Sequence, residues 1–209
     1  LLGRRAEYLL GDLDLGRVQR PGAHAAEQEG GAELRLAALD DHGRIVDSRL
    51  ATGAVGVIDA GGKTTNLLRV DKLAEIGTET DSVNVGAWDA VRAVKGWLSA
   101  NCPGLEDLRD HQVIQAIIDR QVSYYGEPVD LADVVEQTLE PLADQVLAAA
   151  SHLWNGGAML DAVLVGGGGA LLLGPYVERR FPHAQVVEDP VFANALGYWR
   201  FAQRLEQSV

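Results

Sequence analysis

The sequence has little cysteine, little methionine and few aromatic residues: one Cys (Cys102), one Met, and aromatic side chains at 6% of its 209 positions. A single cysteine excludes a disulfide framework within the chain, and we expect a reducing compartment such as the cytoplasm. The longest uncharged run, residues 162–177, contains five glycines and a proline. It is shorter than the ~20 apolar residues that a membrane span needs, so we predict no membrane segment.

Basic residues are also scarce, with 18 Lys and Arg against 30 Asp and Glu and a net charge of −12. An acidic chain repels nucleic-acid phosphates, so we predict no direct contact with nucleic acid. The hydrophobic fraction of 47% is that of a globular chain. The length allows one large domain or two small ones. Because Leu1 is not an initiator methionine, we expect the sequence to be incomplete at its start.

Residues 55–70 predict a β-hairpin. Residues 55–58 are apolar and partly β-branched, which favours a buried strand that ends at Asp59. Gly61 and Gly62 form a turn without Cβ atoms, and residues 64–70 favour a second strand. The hairpin therefore has a carboxylate at the end of one strand and bare backbone at its tip.

Such a tip suits phosphate groups, because backbone N–H groups, Thr64 and Lys63 would surround an anion. Asp59 suits Mg²⁺, which takes one or two protein carboxylates, several waters and the phosphates of a ligand. The alternative is an ordinary hairpin with a solvated Asp. A second glycine run, residues 166–169, favours the phosphate interpretation, because it again follows a strand, residues 162–165, and precedes a helix, residues 170–180.

The rest of the chain predicts alternating helices and strands, and hence an α/β fold. Helical spacing of apolar residues indicates helices over residues 84–99, 108–125, 130–154 and 192–205. The third of these contains Pro141, where we expect a kink or a restart. Residues 72–80 are polar and predict a connecting loop, and residues 185–187 predict a short strand.

The motif from Val57 to Asn66, followed by the motif from Val163 to Ala170, resembles the actin-like ATPase superfamily, most closely the plasmid-segregation actins of the ParM/StbA type. The resemblance implies an actin-like, ribonuclease H-like ATPase fold, mainly its C-terminal lobe. In this division residues 1–53 are a remnant of the N-terminal lobe with a connecting segment. Residues 54–209 are the C-terminal lobe, with a helical subdomain over about 84–154 inserted.

The resemblance also implies which residues form a site for ATP and Mg²⁺. Asp59 would hold Mg²⁺ through water and serve catalysis. The β- and γ-phosphates would lie against Gly61, Gly62, Lys63 and Thr64. The ribose or base would lie against Asn84 and Gly86. The adenosine with its α-phosphate would lie against Gly166, Gly167, Gly168 and Ala170. Gln28 would lie near the attacking water. Asp119 and Arg120 fall on a helix that often contacts the base, but a solvated face is our interpretation for them.

The sequence departs from the family pattern in three places. The hairpin that opens these proteins, Asp-x-Gly followed by Thr and Lys, is not found, so we expect about half of the phosphate site to be missing. Asn66 stands where relatives commonly have Asp. The segment around Gln28 lacks the expected neighbours of a water-positioning residue.

The resemblance implies an ATP-binding protein that forms nucleotide-dependent filaments and acts on plasmid DNA through an adaptor protein, or serves as a bacterial cytoskeleton. ATP hydrolysis is expected once the missing loop completes the site. Two alternatives remain at this stage. One is a small-molecule kinase of the same superfamily, and the other is a non-catalytic, truncated remnant.

Overall fold

Seven strands form two sheets in the structure, a computed structural model that describes residues 31–207. In chain order the strands are β1 (Ala54–Ala60), β2 (Thr65–Asp71), β3 (Ala74–Val83), β4 (Gln121–Tyr124), β5 (Glu127–Asp130), β6 (Ala162–Gly166) and β7 (Ala184–Val186). The α-helices of the same residues are α1 (Ala32–Ala38), α2 (Ser48–Thr52), α3 (Ala87–Asn101), α4 (Asp110–Asp119), α5 (Ala132–Leu153), α6 (Ala170–Arg180) and α7 (Ala193–Glu206).

The main sheet has five strands in the order β3-β2-β1-β6-β7. The strands β1, β6 and β7 run parallel, and β1, β2 and β3 form an antiparallel meander. The register between β1 and β6 places Asp59 opposite Gly166. The two predicted glycine turns therefore leave neighbouring parallel strands at the same edge of the sheet.

Helices cover both faces of the main sheet. Successive side chains of a strand point to opposite faces, so each strand contributes to two cores. Ile58 and Ala60 of β1 belong to the core beneath α3, α4, α5 and α6. Val55 and Val57 belong to the opposite core, beneath α1, α2 and α7. The alternation assigns Asp59 to the second face, together with Gly166 of β6.

The segment between β3 and β6 contains α3, α4, the β4–β5 hairpin and α5. The prediction of a helix over residues 108–125 is wrong in its second half, because α4 ends at Asp119 and β4 follows. Val122 and Tyr124 pack against the core from a strand. The spacing of Val122 to Ile114 and Ile118 also fits a helix, which explains the error.

The prediction of a loop over residues 72–80 is also wrong, because Ala74–Val83 form strand β3 at the edge of the sheet. Most of its side chains are exposed or half-buried, so the strand lacks the apolar alternation that predicts a half-buried strand. An edge strand gains its stability from backbone pairing with β2, and polar side chains discourage pairing on its free side.

Helix α5 continues through Pro141 without the predicted restart. Pro141 lies on the exposed side of the helix, as does Gln137, whose carbonyl group the proline cannot bond. Water can satisfy that carbonyl, and this lowers the cost of an interior proline. No helix between residues 31 and 207 combines the length and the apolar composition that a membrane crossing requires.

Candidate functional site

The candidate site lies at the carboxyl edge of the main sheet, where β1 and β6 end side by side at Asp59 and Gly166. Crevices at this edge of parallel strands are common ligand sites in α/β proteins. The backbone N–H of Gly169 donates to the carbonyl of Ala60 at 2.7 Å. The turn after β6 is thereby fixed against the end of β1.

Gly167 is the position at which this turn needs a glycine. Its φ is +80°, and a Cβ there would lie 2.4 Å from the carbonyl oxygen of Ala60 and 2.5 Å from Oδ1 of Asp59. Any other residue would be strained and would push the Asp59 carboxylate aside. Gly168 is exposed and open, and its N–H has no hydrogen-bond partner among residues 31–207.

The tip of the β1–β2 hairpin is packed against the first turn of α3. The carbonyls of Gly61 and Gly62 accept hydrogen bonds from the N–H groups of Ala87 at 3.0 Å and Trp88 at 2.9 Å. A Cβ at Gly62 would lie 2.1 Å from the indole nitrogen of Trp88, and one at Gly86 would lie 2.4 Å from the carbonyl oxygen of Gly62. Both glycines allow this close approach.

The N–H groups of Gly62 and Lys63 have no partner within the described part of the chain. The Lys63 side chain is exposed and Thr64 is half-buried. Gly86 is buried beneath the tip, Asn84 is exposed just before it, and Ala170 is the buried first residue of α6. The structure therefore brings most of the predicted site residues to one edge of the sheet.

Asp59 is half-buried, and its Oδ2 accepts a hydrogen bond from Nδ2 of Asn194, in the first turn of α7, at 3.3 Å. A cavity of about 570 Å³ opens beside it on the face covered by α1 and α7. The polar side chains that line it include Glu33, Asp59, Asn66, Asp81, Ser82 and Asn194. Its carboxylates and polar side chains suit hydrated cations.

Glu33 of α1 is the carboxylate that the sequence analysis missed. Its side chain is 1% exposed, and its Oε1 has no hydrogen-bond partner within residues 31–207. Burial raises the pKa of the Glu33 carboxyl to about 7, and the negative charge of Asp59 also raises it. The sequence contains one signal for this residue: a carboxylate between the apolar residues Ala32 and Leu34 at the start of a helix.

Gln28, predicted to lie near an attacking water, lies outside the described residues. Asn66 pairs with Asp59 across the hairpin and accepts a hydrogen bond from the Ser82 hydroxyl at 3.0 Å. Among residues 31–207 there is no cluster of three or more metal-ligating side chains. A metal at Asp59 would therefore take its remaining ligands from water and from a bound molecule.

A second cavity of about 510 Å³ adjoins Gly168 and lies between α4 and the start of α6. Its lining is mostly apolar, and includes Trp88, His111, Ile114, Gln115, Ile118 and Leu171. Asp119 and Arg120 are exposed, as predicted. Asp119 accepts a hydrogen bond from Gln115, and Arg120 donates one to Glu136. A flat apolar ring fits this second cavity, with polar side chains at its rim.

A family model described as the C-terminal domain of archaeal MreB-like actin homologues matches residues 57–179. No curated protein matches the chain. The crystal structure of the archaeal actin homologue Ta0583 matches with a TM-score of 0.66 and 24% identity, over 86% of this chain and 54% of that one. Ta0583 has also been solved in complex with ADP.

Two ParM structures match as well. A filament from Clostridium botulinum has a TM-score of 0.63 and 19% identity, over 84% of this chain and 52% of that one. Bacillus thuringiensis ParM with ATP has a TM-score of 0.63 and 13% identity, over 86% and 55%. At these identities the likeness shows the fold alone. The fold is therefore actin-like and corresponds to the C-terminal lobe region, and the chain spans about half the length of these homologues.

Proposed function

The chain belongs to the family of archaeal MreB-like actin homologues, through that family's C-terminal domain, and on this premise we propose that it binds an adenine nucleotide with Mg²⁺. The observation that carries the proposal is the contact between the two glycine runs. Gly167 and Gly169 lie against Asp59 and Ala60, so the turn that carries the unpartnered N–H of Gly168 is fixed beside the Asp59 carboxylate. Phosphate oxygens need donors of this kind at close range.

In this proposal the N–H groups of Gly62, Lys63 and Gly168 face the phosphates, and the Lys63 ammonium group neutralises part of their charge. Mg²⁺ fits Asp59, because it needs only one or two protein carboxylates beside water and phosphate oxygens. Asn194 holds the orientation of that carboxylate. When bound, Mg²⁺ would neutralise charge that develops on the phosphates during their transfer.

The apolar cavity beside Gly168 is the proposed base site. Trp88 and Leu171 supply apolar surface, and the side chains of His111 and Gln115 can bond the polar edge of a purine. Because Gly168 borders this cavity and Gly167 touches Asp59, one nucleotide can extend from the base cavity to the carboxylate. Ta0583 with ADP and ParM with ATP support adenine as the base.

We assign the orientation of the attacking water to Glu33 instead of Gln28. The Glu33 carboxyl has an unpartnered oxygen, and its pKa of about 7 suits proton transfer near neutrality. It would take a proton from water as the oxygen of that water bonds to the terminal phosphorus. The bond from phosphorus to the bridging oxygen breaks, and ADP and phosphate leave. We expect turnover only in a protein that also supplies the first phosphate loop.

Self-association into filaments is the second part of the proposal, and the ParM filament from Clostridium botulinum supports it. A head-to-tail contact that does not close on itself produces such filaments. Nucleotide state would change the association, and the acidic chain would reach plasmid DNA only through an adaptor protein. This role agrees with a cytoplasmic protein.

Thermal melting with and without Mg-ATP tests nucleotide binding. A ligand at 100 times its dissociation constant stabilises the folded chain by about 2.7 kcal/mol. Asp59→Asn should remove most of this shift. Asp71→Asn is the matched control, since Asp71 ends β2 at the far end of the hairpin. A wild-type chain that does not shift, or an Asp59→Asn chain that shifts as fully as the control, would overturn the proposal.

A further inference from the structure

The turn of the β4–β5 hairpin holds an aromatic residue in an unfavourable conformation. Tyr125 and Gly126 form its two-residue loop, with φ of +50° and +85°. Such turns favour Asn-Gly or Gly-Gly, because both loop positions are left-handed. Tyr125 is 89% exposed, and within the hairpin its ring contacts that of Tyr124, at 4.5 Å between centroids. The fold gains little from a tyrosine at this position.

A second large apolar side chain is exposed on the loop between α5 and β6. Met159 is 86% exposed, while its neighbour Leu160 packs towards Gly56. The loop is held by backbone hydrogen bonds, including those from Gly156 to Ser151 and from Leu160 to Gly157. Tyr125 and Met159 are the most exposed of the large apolar side chains within residues 31–207.

Helix α5 separates these two side chains. The β4–β5 hairpin precedes its first residue and the Met159 loop follows its last. The helix has 22 residues and is about 33 Å long at 1.5 Å per residue. Two sites at opposite ends of a helix cannot meet within one molecule. They can meet between successive copies, and such a contact repeats without closing.

The two ends of the molecule that α5 separates also differ in net charge. Residues 101–133, around the hairpin, contain seven acidic and two basic residues. The opposite end includes Arg49, Lys72 and Arg180 together with Asp47, Asp71 and Asp161, so its charges balance. Of these, the carboxylate of Asp161 accepts a hydrogen bond from the N–H of Ala54. Two acidic hairpin ends repel each other, so the charges favour contact of this end with the opposite end of the next copy over contact between two hairpin ends.

We propose that Tyr125 of one copy contacts the Met159 loop of the next copy in a head-to-tail assembly. This inference rests on the self-association in the proposed function and names the two surfaces that meet. A tyrosine ring and a thioether form favourable contacts, and both side chains lose water when they pair. The tyrosine is kept at a strained turn position because it serves the contact between copies.

The first test is Tyr125→Asn in the full chain with Mg-ATP. Asn suits the left-handed turn position, so its melting temperature should equal the wild-type value or exceed it by about 2 °C. The critical concentration for pelleting should rise about fivefold, because the aromatic contact is lost. Val46→Ser is the control, since Val46 is 63% exposed and belongs to neither the β4–β5 hairpin nor the Met159 loop. It should pellet as the wild type does.

The second test is a disulfide cross-link of defined direction. A Tyr125→Cys chain mixed with a Met159→Cys chain should give a linked pair under oxidising conditions with Mg-ATP. Cys102 is buried and does not compete. Exchange of Met159→Cys for Val46→Cys should abolish the linked pair. Wild-type pelleting without the expected cross-link, or unchanged pelleting of Tyr125→Asn, would overturn this contact and leave nucleotide binding and filaments intact.

A wild-type chain that never assembles would overturn both the contact and the proposed self-association. The melting shift that depends on Asp59 is independent of assembly, so nucleotide binding would still be judged separately. The three parts of the proposal therefore fail separately.

Discussion

Glu33 occupies the space that a side chain at Gly166 would need. A Cβ at Gly166 would lie 2.4 Å from Cγ and 3.0 Å from Oε1 of Glu33. The last residue of β6 thus has no side chain, and a buried carboxylate from α1 lies in its place beside Asp59. This relationship joins the second glycine run to the catalytic part of the proposed site.

Gly166→Ala should therefore displace Glu33 and destabilise the chain by about 1–3 kcal/mol, the usual cost of overpacking a core. Urea unfolding measures the loss. Gly168→Ala is the stability control, because no atom lies within 4 Å of the Cβ position at Gly168. Equal stability of the two variants would contradict the close contact between Glu33 and Gly166.

Glu33→Gln should change how stability depends on pH. The pKa of Glu33 rises from 4.5 to about 7 on folding, so the folded state binds the proton more tightly than the unfolded state. Stability from this group is complete below pH 4.5 and is lost as the pH rises through 7. Relative to Glu33→Gln, the wild type should lose about 3 kcal/mol across that range.

Unfolding in urea at several pH values gives this difference, and subtraction of the two curves cancels the other titrating groups. Parallel curves for wild type and Glu33→Gln would show that Glu33 titrates normally. In a protein with the first phosphate loop, Glu33→Gln should also bind Mg-ATP as the wild type does but hydrolyse it more slowly, by about 10²-fold or more.

Two glycines at or within α3 should respond to alanine in opposite directions. A Cβ at Gly86 would meet the backbone of Gly62 at 2.4 Å, so Gly86→Ala should separate the hairpin tip from the helix and destabilise the fold. Gly96 is exposed inside the same helix, and its Cβ position is open. Gly96→Ala should stabilise the chain by about 0.5–1 kcal/mol. Melting temperatures of the two variants show whether each substitution lowers or raises stability.

Ile118→Ser should weaken binding of adenine nucleotides about tenfold, because it removes apolar surface from the proposed base cavity. Binding of Mg-pyrophosphate, which has no base, should not change. Ile45→Ser is the matched control, since the exposed fraction of Ile45 is 42% against 43% for Ile118. A parallel loss of both ligands would indicate a general defect in the fold instead.

The parts of the fold that the sequence predicted well are those whose local signals agree with their surroundings. The strand before Asp59 and the strand before Gly166 are apolar because both of their faces are covered, and glycine marks the turns after them. Strand β3 lacked such a signal, because an edge strand with polar side chains resembles a loop. The β4–β5 hairpin was missed because Val122 fits both the helical spacing of Ile114 and Ile118 and the spacing of a strand.

The candidate site was predictable in part for the same reason. Asp59 and the glycines can be recognised from the sequence because they follow predicted strands. Glu33 and Asn194 come from α1 and α7, far from the glycine motifs in the chain. Only tertiary packing brings them to Asp59, and the unusual pKa of Glu33 arises from burial, which a sequence pattern does not report.

The hydrogen bonds from Ala87 and Trp88 to the hairpin tip make the tip and α3 one mechanical unit. Helix α3 has 15 residues, so its far end lies about 22 Å from the tip. A small rotation at Gly62 would be amplified along that length, as at the end of a lever. Binding of a phosphate at the tip and movement of α3 would then be coupled through the contact between Gly62 and Gly86.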